Sequence, residues 1–278
     1  MNDTTSTIED SFRQEISRQG AIAGHPLVQL RETASTNSDA LQLGREGIPS
    51  GTVVIAHHQT GGRGRLGKQW LSHGESGLYF SLLLRPTLEP ADLPKITLGA
   101  GVALCRAVSR ICRIEPAIKW PNDLLISGRK CGGILTETEF IAGRPLVVLG
   151  IGLNISTPLS AFPQEIRDKT TSLARHDATI MQKRLPLLAA ILGELDIMIK
   201  KMEKGAFGEI LTEWKKRDYT VGKRISWLTT QGKAVRGLSL GPDSEGRLHI
   251  RDDQGMVHEV LSGDIRLQAP APAEPAPG

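Results

Sequence analysis

Aromatic residues are scarce in this chain: they make up 4% of its 278 residues, whereas hydrophobic residues make up 39%. Aliphatic side chains must therefore build most of the core, and the length allows two domains. No apolar run reaches the ~18 residues that a membrane helix requires. The first residues, from Met1, lack the basic and apolar regions of a signal peptide. We therefore expect a soluble, cytoplasmic protein.

Cysteine is rare too, and its pattern excludes two common uses. Cys105, Cys112 and Cys131 form no C-x-x-C motif, and three cysteines cannot all pair. The simplest interpretation is buried thiols in a reducing compartment.

The charge has no strong excess of either sign. Lysine and arginine number 34 against 30 acidic residues, which gives a net charge of +4 and a pI near 9.0. This balance is too weak to indicate nucleic acid. It is compatible with an anionic small molecule or an acidic partner protein.

The two ends of the chain differ in composition from the rest. We expect residues 1–30 to be a partly disordered extension with a short amphipathic helix around Ile8, Phe12 and Ile16. Residues 269–278 are too rich in proline and alanine to fold and should form a disordered tail. Between them we predict a domain over 31–218 and a second over 219–268, where short strands and turns predict a small barrel.

The larger domain mixes helix and strand patterns. A short helix is predicted after the capping triplet Ser35-Thr36-Asn37 and a longer one after Pro94. Residues 186–200 and 207–214 have the spacing of further helices. Strands are predicted at 52–56, 77–84, 117–120, 131–136 and 145–151. The fold class predicted is therefore α+β, a mixed β-sheet with packed helices.

A loop rich in glycine and arginine, Gly62-Arg63-Gly64-Arg65-Leu66-Gly67, is the most distinctive segment. Its glycines allow the backbone to approach a ligand, and arginine presents a planar fork of donors to anionic oxygens. The segment lacks the P-loop pattern and fits G-x-G-x-x-G, but its arginines and the following Trp70 do not suit a Rossmann turn. Alone, it indicates either an anion-binding loop or a solvated surface loop.

Two further segments favour the anion-binding interpretation of this loop. The first, Lys119 to Leu124, reads K-W-P-N-D-L, and Lys130 follows it at the start of a new strand. A hairpin over 119–136 would bring Asn122, Asp123 and Lys130 to one rim; the plainer alternative is a polar turn with a surface ion pair. The second segment, Gly150-Ile151-Gly152-Leu153-Asn154, ends an apolar strand with an asparagine. Such a residue is usually just a turn residue, but its amide can also read an adenine edge.

Together, these motifs resemble the biotin protein ligase family. The matching motifs are S-T-N at 35–37, G-R-G-R-x-G followed by Trp70, K-W-P-N-D-L, R-K-x-x-G-I-L at 129–135 and G-I-G-x-N at 150–154. They occur in the family's order from Thr33 to about Leu267. The resemblance implies a class II synthetase-like core with a small C-terminal SH3-like barrel. About 30 residues precede the first motif, so we expect the catalytic-core form without an N-terminal DNA-binding domain.

The resemblance also implies a two-step reaction. Biotin is activated by ATP, with Mg²⁺, to biotinyl-5'-AMP, and the biotinyl group then passes to a lysine of a biotin carboxyl carrier protein of acetyl-CoA carboxylase or a related carboxylase. We expect no DNA or membrane partner, and a monomer or a homodimer. Fixed cations must offset the repulsion between two anions, and a loop must exclude water from the adenylate.

By matching position, the resemblance assigns roles to individual residues. The catalytic set is Arg63, Asp123 and Lys130, with Asp123 a candidate for Mg²⁺ or for positioning the acceptor lysine. Biotin would be bound by Ser35, Thr36, Asn37, Gln59, Arg63, Gly64, Arg65 and Lys130, with Gln59 near the carboxylate end. ATP and the adenylate would be bound by Arg63, Arg65, Trp70, Asn122, Lys130 and Asn154. Trp70 is equally compatible with a core position. Lys68 stands where the family often has arginine, which puts one minor phosphate contact in doubt.

Three other functions compete with this one. A lipoate or octanoyl transferase would share the core fold, but the arginine loop and the C-terminal barrel favour biotin. A biotin-sensing module would not need both Arg63 and Lys130. Nucleic-acid binding through the loop is disfavoured because the loop lacks stacking aromatics.

Overall fold

The computed structural model describes residues 26–228, 234–261 and 263–267. The predicted helix around Ile8, Phe12 and Ile16 and the C-terminal tail lie outside the described residues. The chain divides into two compact units between Tyr219 and Thr220, and each unit has its own sheet.

A seven-stranded mixed sheet forms the first unit. Its strands follow the order β1-β2-β3-β7-β6-β5-β4, and only β1 and β2 run parallel. β1 crosses the boundary predicted at residue 30, because Leu27 and Val28 already pair with Val53 and Val54. The strands are β1 (Leu27–Thr33), β2 (Val53–Gln59), β3 (Gly77–Leu84), β4 (Ala117–Lys119), β5 (Asp123–Ile126), β6 (Arg129–Ile141) and β7 (Arg144–Asn154).

Helices cover both faces of this sheet, which confirms the α+β prediction. The helices are α1 (Thr36–Arg45), α2 (Lys95–Cys112), α3 (Gln164–Arg167), α4 (Arg184–Glu203) and α5 (Phe207–Lys215). On one face, α1 buries Ala40 and Leu41 in a cluster with Val54, Leu83 and Leu146. Strand side chains alternate between faces, so Thr136, next to Leu135 on β6, points to the other face. There it meets Thr97 of α2, with the two hydroxyl oxygens 2.9 Å apart.

The prediction of one hairpin over 119–136 was wrong in its topology. The chain forms two successive hairpins, β4–β5 and β5–β6, since a second turn forms at Ser127 and Gly128. Both turn residues have positive φ, 49° and 74°, as in a tight two-residue hairpin turn. The polar residues nevertheless meet, because β5 carries Asp123 back alongside β6.

The second unit is a five-stranded antiparallel sheet with the order β11-β10-β9-β8-β12. Its strands are β8 (Arg224–Leu228), β9 (Ala234–Pro242), β10 (Leu248–Asp252), β11 (Val257–Val260) and β12 (Asp264–Leu267). Two turns share one design: Asp243 Oδ1 accepts the backbone N–H groups of Glu245 and Arg247, and Asp252 does the same two and four residues on. The aspartates thus replace backbone acceptors in these turns.

The structure also bears on two predictions drawn from what the sequence lacks. Within the described ranges, no helix combines the length and hydropathy needed to cross a bilayer. All three cysteines are free and buried, as predicted. Burial raises the pKa of the Cys105 thiol to about 12, so it is an inert packing group at neutral pH.

Candidate active site

A buried polar network occupies the sheet face at the start of α1. The side chains of Ser35, Thr36 and Asn37 are at most 4% exposed. Gln59, at the end of β2, accepts two hydrogen bonds at Oε1, from the backbone N–H of Thr36 at 2.9 Å and from its hydroxyl at 3.1 Å. Ser81, in the middle of β3, has its hydroxyl 2.8 Å from that of Thr36. The network is therefore a fixed set of donors and acceptors in an otherwise apolar sheet.

The side chain of Asn37 is held by two strands, β6 and β3. Its amide Nδ2 donates to the carbonyl of Leu135 at 3.2 Å and to Glu137 Oε2 at 2.7 Å. Its Oδ1 accepts from the Ser81 hydroxyl at 2.6 Å. Gly150 leaves room for this amide, since a Cβ there would lie 2.0 Å from Oδ1.

The glycine-arginine loop folds back on itself beside this network. The Trp70 N–H donates to the Gly62 carbonyl at 2.9 Å, and the Gly64 N–H donates to the Lys68 carbonyl at 2.7 Å. Between them the chain makes a 3-10 turn in which Leu66 has a φ of 56°, a strained value for leucine. Its side chain is 61% exposed. The tip of the loop is therefore weakly packed, as expected for a segment that moves.

The two arginines of the loop reach opposite ends of the site. Arg63 Nη2 lies 2.8 Å from Glu137 Oε2 on β6, and Arg65 Nη1 donates to Asn122 Oδ1 at 3.3 Å. A cavity of about 450 Å³ is lined on one side by residues 63–68, which are most of the glycine-arginine loop and the lysine after it. Leu135 and Glu137 of the sheet line the other side. Its volume falls in the range usual for small-molecule sites.

The indole of Trp70 lies over the sheet, against Gly133 and Gly152. Gly152 of β7 makes this possible, because a Cβ there would come within 2.5 Å of the indole. Gly133 of β6 pairs with Gly152 in the sheet. Lys130 Nζ lies 5.6 Å from the ring centroid, within cation–π range. The indole Nε1 is buried and has no hydrogen-bond partner among the described residues.

Lys130 and Asp123 form the charged centre of the site. Lys130 Nζ lies 2.6 Å from Asp123 Oδ1, and Lys119 Nζ lies 3.5 Å from Oδ2. Burial alone would raise the pKa of Asp123, but the charges and hydrogen bonds of the two lysines outweigh it and lower the pKa below its ordinary value. Asn122 Nδ2 donates to the Ile134 carbonyl at 2.9 Å, which leaves its oxygen toward Arg65.

Asn154 is placed differently from the other predicted site residues. Its side chain is 2% exposed and donates to the Thr171 carbonyl at 3.1 Å. It lies two residues beyond Gly152 on β7, on the face that carries Trp70. The described hydrogen bond of its side chain therefore joins it to Thr171 and not to the loop arginines or Lys130.

Two residues of the site, Ser81 and Glu137, were not predicted from the sequence. Each is a polar residue within a strand: Ser81 stands in an otherwise apolar run, and Glu137 lies two residues beyond Leu135 on β6. Period-two alternation from Gly133 through Leu135 would have placed Glu137 on the site face. No local pattern could show that β3 and β6 would both contact Asn37.

Comparison with known proteins supports this picture. A sequence model of the Biotin/lipoate A/B protein ligase family matches residues 30–154. The chain is 31% identical over 262 residues to a Mycobacterium tuberculosis protein named biotin–[acetyl-CoA-carboxylase] ligase, covering 92% of this chain and 94% of that one. It is 33% identical over 247 residues to the Bacillus subtilis bifunctional ligase/repressor BirA, covering 88% of this chain and 75% of the relative.

A solved structure shows the same similarity in three dimensions. The biotin protein ligase from Aquifex aeolicus, in complex with biotin and ATP, superposes with a TM-score of 0.72 at 31% identity. The match covers 87% of this chain and 98% of that one. Sequence and fold agree over most of the described chain, and the predicted resemblance is confirmed: the chain belongs to the biotin protein ligase family.

Proposed function

We propose that this protein is a biotin–protein ligase that activates biotin with ATP and transfers it to a lysine of a biotin carboxyl carrier protein. In the first step a biotin carboxylate oxygen bonds to the α-phosphorus, and the bond to pyrophosphate breaks. In the second, the lysine amine attacks the acyl carbon, releases AMP and loses a proton to solvent. The observation that carries the proposal is the ammonium of Lys130, which Asp123 holds at 2.6 Å and which lies 5.6 Å from the centroid of the Trp70 ring.

The polar network suits the ureido group of biotin. That group is a compact set of donors and an acceptor, and Ser35, Thr36 and Asn37 present complementary groups in an apolar setting. Gln59 was expected near the carboxylate end of biotin. Since its side-chain oxygen accepts from both the N–H and the hydroxyl of Thr36, we place it at the ureido end instead.

The cations suit the opposite end, where two anions must meet. Lys130 is a compact point charge that can lie between a carboxylate and the α-phosphate. Arg63 and Arg65, on a loop with Gly64, can close over biotin and the phosphates and exclude water. Both groups lower the cost of the negative charge that develops in the transition state.

Asp123 does not fit a role as a ligand of Mg²⁺. Lys130 and Lys119 face its two oxygens, and they hold the pKa of this carboxyl low by matching its charge. Mg²⁺ usually keeps several waters and binds through substrate phosphates, so ATP itself would carry the ion. The role that suits Asp123 is to orient an ammonium group, either that of Lys130 or that of the acceptor lysine.

Trp70, Asn122 and Asn154 suit the nucleotide. The face of Trp70 offers a stacking surface, and its Nε1–H is a buried donor that a ligand oxygen could satisfy. The Asn122 amide accepts from Arg65, and the next residue, Asp123, pairs with Lys130. The Asn154 amide, at the end of β7, borders the same sheet face.

The remaining expectations from the sequence belong to the same proposal. The antiparallel sheet of the second unit is compatible with a small SH3-like barrel. The three buried thiols are compatible with the cytoplasm. The acceptor is a carboxylase's carrier domain.

Exchange of labelled pyrophosphate into ATP tests the first step, with biotin or lipoate as the acid. We expect biotin-dependent exchange and none with lipoate alone. Exchange that depended on lipoate and not on biotin would overturn the choice of substrate.

A further inference from the structure

We propose that Glu137 is a positioning residue for biotin. One of its carboxylate oxygens fixes the Asn37 amide inside the buried polar network and holds Arg63 of the glycine-arginine loop beside that network. This inference rests on the proposed function. Glu137 Oε2 accepts from Asn37 Nδ2 at 2.7 Å and from Arg63 Nη2 at 2.8 Å. A single atom therefore joins the loop to the buried network.

The first contact determines which way the Asn37 amide points. Both of its N–H groups are used, on Glu137 and on the Leu135 carbonyl, and its oxygen accepts from Ser81. Rotating the amide by half a turn would place its oxygen against a carboxylate and a carbonyl. Two favourable contacts would then become repulsive, so the amide keeps one orientation before any ligand binds.

The second contact, between Glu137 and Arg63, keeps the glycine-arginine loop near the buried polar network. Arg63 is 42% exposed and Glu137 27% exposed, so water weakens the ion pair without removing it. The carboxylate sets where the guanidinium rests before an anion enters. The loop therefore begins its closure from a defined position, which reduces the ordering cost of binding.

The position of Glu137 on β6 also matters. Its register partner is Val148, while Leu135 pairs with Gly150, the residue that leaves room for Asn37. The same strand thus supplies both acceptors for the Asn37 amide. Lys130 and Asp123 are not among the described partners of Glu137, and its contact with Arg63 sets where the loop rests before an anion enters. The effect of Glu137 should therefore fall on binding of biotin and not on the chemistry.

The variant that tests this is E137Q, which keeps the shape and removes the charge. We expect the KM for biotin in pyrophosphate exchange to rise about tenfold, since a charge-assisted hydrogen bond becomes neutral. The kcat and the KM for ATP should stay within about twofold of wild type. If E137Q does not fold, E137D takes its place with the same expectation, because the shorter side chain cannot reach both donors.

The matched control is E139Q. Glu139 lies on the same face of the same strand, two residues further on, and pairs with Arg45 outside the site. E139Q should leave both KM values unchanged. An unchanged biotin KM in E137Q, or a fall in kcat with no change in KM, would overturn the proposal.

A double-variant cycle separates positioning from mere structural support. If Glu137 acts through Asn37, the fold increases in biotin KM caused by N37A and by E137Q should not multiply. The fold increase in the double variant should be at least threefold smaller than the product of the two single increases. Multiplying effects would contradict the proposal. Failure of the proposed function has a different signature, the absence of biotin-dependent exchange in the wild-type protein itself.

Discussion

Lys130 and Asp123 face each other across neighbouring strands, with Nζ of the lysine 2.6 Å from Oδ1 of the aspartate. The pair joins β5 to β6, and Lys130 is also within cation–π distance of the Trp70 ring. An ammonium held from two sides is preorganised: it loses little further freedom when an anion arrives.

Removing this ammonium should remove most of the first reaction step. We predict that Lys130→Ala lowers the rate of biotin-dependent pyrophosphate exchange at least ~100-fold, the usual cost of losing one preorganised donor. The control is Lys200→Ala, because Lys200 pairs with Asp196 on α4, away from the described site. A normal rate for Lys130→Ala would show that this lysine lies outside the reaction centre.

The seat of Trp70 depends on a glycine. In Gly152→Ala the new methyl group would come within 2.5 Å of the indole, so the ring must move. We predict that the KM for ATP rises about tenfold, because crowding of this size costs about 1–3 kcal/mol.

The control for this substitution is Gly208→Ala, where a Cβ meets nothing within 4 Å. That variant should be as active as wild type and slightly more stable, since alanine favours helix. If Gly152→Ala kept a normal KM for ATP, Trp70 would be a core residue and not part of the nucleotide site.

The glycine-arginine loop should lose mobility when both substrates bind. Amide hydrogen exchange at Gly62–Gly67 should slow when biotin and ATP are added together, because closure buries N–H groups that the free loop leaves near solvent. Strands β3 and β7, which are buried at the centre of the sheet, provide the internal reference. Equal exchange with and without substrates would exclude a closing loop.

A carboxyl group in the segment before α4 gives a test of stability against pH. Asp177 accepts from Lys183 Nζ and from the N–H and hydroxyl of Thr179, and these bonds lower its pKa to about 2. Its ordinary pKa is near 4. A lowered pKa in the folded state means that the group stabilises the fold above about pH 4 and that this contribution is lost as the pH falls toward 2.

We therefore predict that Asp177→Asn lowers the free energy of unfolding by about 1 kcal/mol at pH 7, because a neutral amide oxygen accepts these hydrogen bonds more weakly than a carboxylate does. The exposed lysine adds little because water screens it. Urea unfolding at pH 7, 4 and 2.5 should show the difference between wild type and variant shrinking toward zero. A difference that grew on acidification would contradict the assigned sign.

The sequence predicted most of the elements, but not every edge of the two sheets. Buried strands such as β3 and β7 have long aliphatic runs, so local patterns suffice. The helix α1 begins at the predicted triplet with Ser35 at the N-cap position, but Ser35 makes no side-chain cap hydrogen bond. Three strands were not predicted: β1, whose residues are mostly half-buried or exposed, β5, which has only four residues, and β12, which lies at the edge of the second sheet. Such strands owe their existence to the neighbours they pair with and carry little pattern of their own.

The site was predictable to the extent that its chemistry lies in contiguous motifs. Lys130 and Asp123 stand seven positions apart in the chain, and their meeting across β5 and β6 was foreseen even though the topology was not. Ser81 and Glu137 were not selected, because each is a lone polar residue within a strand. They matter because α1 packs on the sheet and brings Asn37 into contact with both of them. Ser81 is 44 positions from Asn37 in the chain, and Glu137 is 100 positions from it.

Mass spectrometry of a biotin carboxyl carrier domain incubated with this protein, biotin and ATP tests the proposed function most directly. We predict that the carrier gains one biotinyl group on a single lysine, that omission of ATP abolishes the gain, and that lipoate does not replace biotin. An unmodified carrier in the presence of active wild-type protein, or a lipoyl group in place of the biotinyl group, would contradict it.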